Sequence, residues 1–386
     1  MISTCNKFIA EIENLLKPYN SSHYLHEPFL DKETIKDLNE CVQSSYVSTY
    51  GDYLDKFKNN LSRKIGTDNI VLTNSGTSSL HLALCVIEIK DKEVLLPSMT
   101  FVATTNSIIY NNGIPHFIDV GENDINIDPI KLENYLENIS IIKNNKCYNK
   151  KTKKQIKCLI TLHAFGYPAK INVIKNICKK FFIELVEDAA GALGSTYQKK
   201  HVGTFGRFGI ISFNGNKIIT TGMGGAIICK NKKDYQLVKE LSSTARIKHL
   251  WKIQHNRIAY NYRMTNINAA LGLSQLKNLN KFIKNKKKLH RAYANIIKSY
   301  NELEIFKNID GTSNYWLNNL IINSEFKKYK VDLIQKMHKK NIFVRELWTP
   351  QHLLKMYKKY PKSNLKNTLD IWERTISLPS SNYNEI

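Results

Sequence analysis

The sequence predicts an α/β fold: a mainly parallel central sheet flanked by helices, followed by a smaller C-terminal α/β domain. Three observations lead there. From about residue 35, helical patterns alternate with short β-rich runs, the order that a helix-covered sheet produces. Asn69–Thr73 reads as a strand and Asn74-Ser75-Gly76 as a turn. Leu80, Ala83, Leu84 and Ile87 then recur at i, i+3, i+4 and i+7, one apolar helical face. Finally, 386 residues exceed what one typical core organises, so two unequal domains are expected.

Taken in order, further strands are expected at Val94–Leu96, His116–Val120, Cys158–His163, Ile183–Glu187, Phe208–Phe213 and Gly225–Cys229. Helices fall between several of them, for example Val173–Phe182. The Gly-rich link between the last two strands is too short for a crossover helix, which predicts an antiparallel pairing there. Ile139–Lys157, rich in Lys and Asn, reads as a solvated insertion. A long helical stretch runs from about Ile267 to Tyr300, with its basic block Lys284–Lys288 on a wet face. Trp316–Ile322, Val331–Lys339 and Ile342–Leu347 read as strand, helix and strand. The expected organisation is an N-terminal segment 1–35, a large domain 36–255, and a long helix plus small domain 256–386.

Composition narrows the function classes. The net charge of +24 raises a nucleic-acid hypothesis. The excess is mostly lysine interspersed with Asn and Ile along the whole length rather than one basic face, so no nucleic-acid partner is expected. Such a surface would still concentrate a diphosphate-bearing substrate. No apolar run reaches 18 residues, and the first 16 lack the basic end and apolar block of a secretion signal, which predicts a cytoplasmic protein without a membrane partner. Seven cysteines include no Cys-x-x-Cys pair and no zinc-type spacing with histidine; reduced core thiols and no metal are expected.

Three motifs carry chemistry. Asn74-Ser75-Gly76-Thr77-Ser78-Ser79 is a strand-to-helix turn whose free N–H groups and hydroxyls could cradle a phosphate, though Ser and Thr also cap helices for structural reasons alone. Glu187-Asp188 closes a predicted buried strand, at the sheet edge where open α/β folds bind ligands. A carboxylate there can keep a heteroaromatic ring nitrogen protonated, or can simply cap the next turn. Lys217 lies between two strands among glycines and hydroxyls, where burial would lower its pKa and make it a nucleophilic amine. In order, these supply a phosphate anchor, a counter-charge and an amine, the needs of pyridoxal 5′-phosphate.

From about His26 to Ser381 the chain resembles the DegT-type sugar aminotransferase family, whose members have the fold type I architecture of pyridoxal-phosphate enzymes. The resemblance rests on Val47-Ser48 before Gly51, Gly76-Thr77-Ser78, Pro97 through Thr104 with Asn106, His163 with Gly166, Glu187-Asp188-Ala189-Ala190, Ser212-Phe213 ahead of Lys217, and Asn261-Tyr262-Arg263-Met264. It implies that Lys217 binds the cofactor aldehyde, that Asp188 faces the pyridine nitrogen and that Phe101 stacks on the ring. Gly76, Thr77, Ser78 and Ser212 would hold the phosphate. Asn261 would reach the phosphate of a neighbouring subunit, which implies a homodimer with shared active sites.

Two positions depart from the family. Relatives usually carry Gln, His or Glu three residues after the aspartate, where this chain has Gly191. Met223 stands where Glu is common, a mark of the branch making 4-amino sugars of the legionaminic-acid or bacillosamine type. That branch implies amino transfer from glutamate to a UDP-linked 4-keto-6-deoxy hexosamine, with TDP and GDP left open. Ser48, His163, Trp348 and His352 are the candidate substrate contacts. A dehydratase on this fold would carry histidine in place of Lys217; a non-catalytic sugar-nucleotide-binding regulator is the other alternative.

Overall fold

Strands that are apolar along their whole length end up covered on both faces, and the central sheet is built largely from such runs. The computed structural model describes residues 2–19, 21–307 and 311–383. Its larger part contains Ile70–Thr73 (β1), Glu93–Pro97 (β2), Ile114–Ile118 (β3), Ser140–Lys143 (β4), Lys146–Asn149 (β5), Gln155–Leu162 (β6) and Glu184–Asp188 (β7). Thr196–Tyr197 (β8) and Lys200–His201 (β9) make a side hairpin, and Phe208–Ser212 (β10) and Gly225–Cys229 (β11) complete the sheet. Among the described residues the sheet order is β1-β11-β10-β7-β6-β2-β3. Pairings from β10 through β7, β6 and β2 to β3 are parallel. β11 runs antiparallel to both β10 and β1, as the short Gly-rich link requires.

The segment 139–157 is exposed over most of its length, as expected of a solvated insertion, but it is not irregular. β4 and β5 form an antiparallel hairpin, and β5 pairs in turn with the start of β6. Asn144 and Asn145 at its tip have φ of 50° and 56°, values that asparagine tolerates better than most residues. Its buried Asn149 donates to Glu93, which also bonds His116, so polar groups join it to the sheet. The Lys/Asn composition hid a strand pattern whose best signal was the Asn-Asn turn.

The helix Asn266–Ile297 (32 residues) connects to the small domain. There Leu303–Ile305 (β12), Asn318–Ile322 (β14), Arg345–Glu346 (β15) and Thr375–Leu378 (β16) form an antiparallel sheet ordered β12-β14-β16-β15, while Gly311–Thr312 (β13) pairs with β8. The first segment does not stand apart. Phe8, Ile9, Ile12 and Leu16 of helix Ile2–Leu16 share a core with Leu289, Tyr293, Met337 and Ile376.

One lysine contradicts the wet-face assignment of 284–288. Lys286 is fully buried in the middle of the long helix. Its ammonium donates to the carbonyls of Trp316 (3.1 Å) and Ser380, and burial holds its pKa well below the ordinary lysine value.

Candidate active site

The carboxyl ends of parallel strands place loops and helix starts around a common crevice. Here that crevice is a cavity of about 320 Å³, with Ser75, Gly76, Thr77, Asp188, Ser212 and Lys217 among its lining residues. Strand β1 delivers the first group. Ser75 caps helix Gly76–Ile87, its Oγ accepting from the Ser78 N–H at 3.0 Å. The first-turn N–H groups of Gly76 and Thr77 have no intrahelical acceptor, and no acidic residue in that turn offsets the helix's positive end. The turn is also tightly built. A Cβ on Gly76 would come within 3.0 Å of Ser212 Cβ, and one on Gly225 within 2.4 Å of the Ser75 carbonyl carbon. Ser78 turns its hydroxyl back to Ser75 Oγ, at 2.9 Å.

Strand β7 delivers two carboxylates to opposite faces, because side chains alternate along a strand. Glu187 points away from the cavity. It accepts from the N–H groups of Gly203, Phe205 and Gly206 and from His163 Nε2 at 3.0 Å. These bonds and the imidazole hold its pKa low against burial, which pushes it up. Asp188, 5% exposed, lines the cavity; Thr104 Oγ1 donates to it at 2.7 Å and the Ala190 N–H at 3.2 Å. Thr104 in turn accepts from Thr100.

Lys217 sits on the turn after β10, its N–H bonded to the Asn214 carbonyl at 2.9 Å. Its amine lies 3.8 Å from the centre of the Trp316 ring. Burial lowers its pKa to about 8, and the negative charge of Asp188 opposes the shift. An amine so placed is a nucleophile with a large neutral fraction near physiological pH.

Other expected site residues divide. Phe101, 53% exposed, and Trp348 line the cavity, 6.2 Å apart by ring centres, and Met223 lies on its wall. His163 also lines it, yet both ring nitrogens are engaged, Nδ1 accepting from the Ala169 N–H at 3.1 Å. It orients Glu187 and has no ring nitrogen left for a substrate. His352 bonds Ser98 at 2.7 Å and faces a different surface depression. Ser48 and Asn261 are exposed and lie outside the cavity in the single chain. Sequence reasoning missed Phe165, stacked on Trp348 at 4.3 Å, and Trp316. The one available signal for Trp316 was the bare Gly191, which left room for a large neighbour.

A turn suited to an anion, a fixed carboxylate and a buried amine on one cavity define an enzyme built for a phosphorylated aldehyde cofactor. The comparisons agree. Residues 28–383 match the DegT/DnrJ/EryC1/StrS aminotransferase family, and the chain belongs to it. It is 30% identical to the GDP-perosamine synthase of Vibrio cholerae, across 92% of this chain and 93% of that protein. It is 31% identical to the UDP-4-amino-4,6-dideoxy-N-acetyl-beta-L-altrosamine transaminase of Campylobacter jejuni (serotype O:23/36, strain 81-176), across 92% and 91%. The solved structure of Helicobacter pylori PseC, an aminotransferase involved in pseudoaminic acid biosynthesis, superposes with a TM-score of 0.83 at 25% identity, across 93% of each chain. The fold is thus the type I architecture, and the chain is a pyridoxal-phosphate-dependent sugar aminotransferase.

Proposed function

We propose that this enzyme moves an amino group from glutamate to a UDP-linked 4-keto-6-deoxy hexosamine, with Lys217 and Asp188 as its catalytic residues. The carrying observation is that the Lys217 amine, with a pKa near 8, and the Asp188 carboxylate line the same cavity. Pyridoxal phosphate, when bound, supplies an aldehyde that takes up the amino group and a ring that absorbs negative charge. Lys217 offers the amine that captures the aldehyde. The same amine, when not bonded to the aldehyde, would serve as the base for the proton of the donor's α-carbon and as the acid that supplies one at the sugar carbon. Asp188, held by Thr104, would face the ring nitrogen and keep its proton in place. Gly76, Thr77 and Ser212 would hold the phosphate at the helix start, and Phe101 would cover one ring face.

The UDP assignment draws on the Campylobacter relative, and the GDP-sugar relative is the reason to test the base directly. Turnover with UDP-, GDP- and TDP-linked 4-keto-6-deoxy sugars should favour UDP in kcat/KM; preference for another base would sink the assignment. Borohydride reduction of the cofactor-loaded protein should leave a pyridoxyl label on the Lys217 peptide. A label elsewhere would sink the role of Lys217. We further propose a homodimer in which the exposed Asn261 reaches the phosphate site of the partner.

A further inference from the structure

Gly191 and Trp316 occupy one piece of space. A Cβ on Gly191 would lie 2.3 Å from Trp316 Cε3 and 2.7 Å from Cζ3, so the indole packs against the glycine's bare backbone. Trp316 belongs to the small domain, yet it is fixed from several sides. Its Nε1–H donates to the Asn216 carbonyl at 2.7 Å, on the residue just before Lys217. Its own N–H donates to Asn314 Oδ1 at 2.8 Å, and Asn314 Nδ2 donates to the carbonyls of Gly191 and Leu193 at 2.9 Å each. Its carbonyl accepts from Lys286 at 3.1 Å. A residue 3% exposed and bonded at both backbone groups and its ring nitrogen has one free large surface, the ring face, and that face meets the Lys217 amine.

We propose that Trp316 is the positioning residue of Lys217: its indole fills the space that Gly191 leaves, clamps the lysine loop through Asn216 and seats the amine on its face. The inference rests on the reading of Lys217 as the aldehyde-capturing amine. An ammonium 3.8 Å from an indole centre is within the range of cation–π attraction, which favours the charged form. Asp188 opposes the desolvation that lowers the lysine's pKa, and the indole face would oppose it too. His26 also feels Lys217; it is buried and held well below its usual pKa, first by burial, then by Lys286 and Lys217. A neutral His26 adds no charge that would mask the indole's effect. The design keeps the amine in place before any cofactor arrives and ties that placement to the small domain.

The test uses the full chain without cofactor. The acylation rate of Lys217 by a small anhydride, read by peptide mass across pH, gives its titration midpoint. Trp316→Leu removes the ring face but keeps an apolar filler, so the midpoint should fall by about half to one pH unit, a three- to tenfold change in acidity. Trp316→Phe keeps a face and should hold most of the wild-type midpoint. An unchanged or raised midpoint in Trp316→Leu, or equal shifts in both variants, overturns the proposal. If Trp316→Leu fails to fold, indole fluorescence decides. Wild type should show a pH step that Lys217→Met lacks, and superimposable profiles overturn the contact. Neither readout needs a bound cofactor, so borohydride labelling elsewhere would sink the catalytic reading while leaving this contact to stand or fall alone.

Discussion

The floor and the roof of the cavity are built on different principles. The floor consists of strand ends of one sheet: Gly76 after β1, Asp188 at the end of β7, Ser212 at the end of β10 and Lys217 just beyond. Its polar groups are held by short local bonds, such as Thr104 to Asp188 at 2.7 Å. The roof is aromatic. Phe165 stacks on Trp348 at 4.3 Å and on Trp316 at 6.3 Å, and the two tryptophans arrive from the small domain. The difference separates chemistry from fit: floor groups can exchange protons, whereas roof groups can exclude water and shape the cavity. Floor substitutions should therefore lower kcat with the fold intact, and substitutions of the roof residues Phe165 and Trp348 should alter KM or stability while the chemistry survives; Trp316, whose ring meets the Lys217 amine, is the link between the two.

The largest expected effect is on the floor. Lys217→Ala loses the amine proposed both to capture the aldehyde and to carry the proton, and general acid–base work alone is worth about 10²–10⁴ in rate. Single-turnover assays should show at least that loss with thermal stability unchanged or raised, because a poorly solvated amine has been removed. Asp188→Asn comes next. It keeps the shape and the Thr104 contact but removes the negative charge proposed to face the ring, and kcat should drop by about 10²-fold or more, by analogy with loss of one electrostatic stabiliser. A kcat within twofold of wild type for either variant would erase the proposed division.

Much of the floor was legible because its signals are local. A strand, a glycine turn and hydroxyls at a helix start follow each other within ten residues at 70–79, and Lys217 stands beside a Gly-rich link. Sequence also predicted the antiparallel pairing of β10 with β11, because so short a link permits no crossover. The roof was illegible for the complementary reason. Trp316 is 125 residues from Gly191 in sequence, and the bare Gly191 signals only that some large neighbour is there, not which one. His163 and His352 show the same limit. Both looked like polar groups available to a substrate, but Ala169 and Glu187 engage both nitrogens of His163, and Ser98 engages Nδ1 of His352, through contacts that only the fold creates.

A pH experiment sharpens the contrast at smaller scale. With a Lys217 pKa of about 8, cofactor capture by the cofactor-free protein should slow about tenfold per unit below that pH, as the neutral amine is depleted. The stability consequence has a definite sign. The folded pKa lies below the unfolded value of about 10.4, so between those limits the unfolded chain binds more protons and stability rises with pH. The Tm gap between wild type and Lys217→Met should therefore be constant below pH 8 and close as pH climbs above it. On the roof side, Gly191→Ala forces a Cβ to within 2.3 Å of Trp316 Cε3 and should cost about 1–3 kcal/mol by overpacking. Adding Trp316→Leu should recover part of that loss, since two residues in contact do not contribute additively.

The smallest effect belongs to Trp348. Its ring lies over Phe165 and tilts 57° from Phe101, so it lines the cavity without a hydrogen bond to any floor group. It cannot move a proton, and what it offers is apolar area, present equally before and during the reaction. Binding of that uniform kind lowers KM and leaves kcat alone. Trp348→Leu keeps part of the area, so KM for the sugar nucleotide should rise by about three- to tenfold, the worth of one or two methylenes. KM for glutamate and the single-turnover rate of the donor half-reaction should not change. A fall in that donor rate would mean that this ring supports the floor, and the separation of chemistry from fit would fail at its most exposed point.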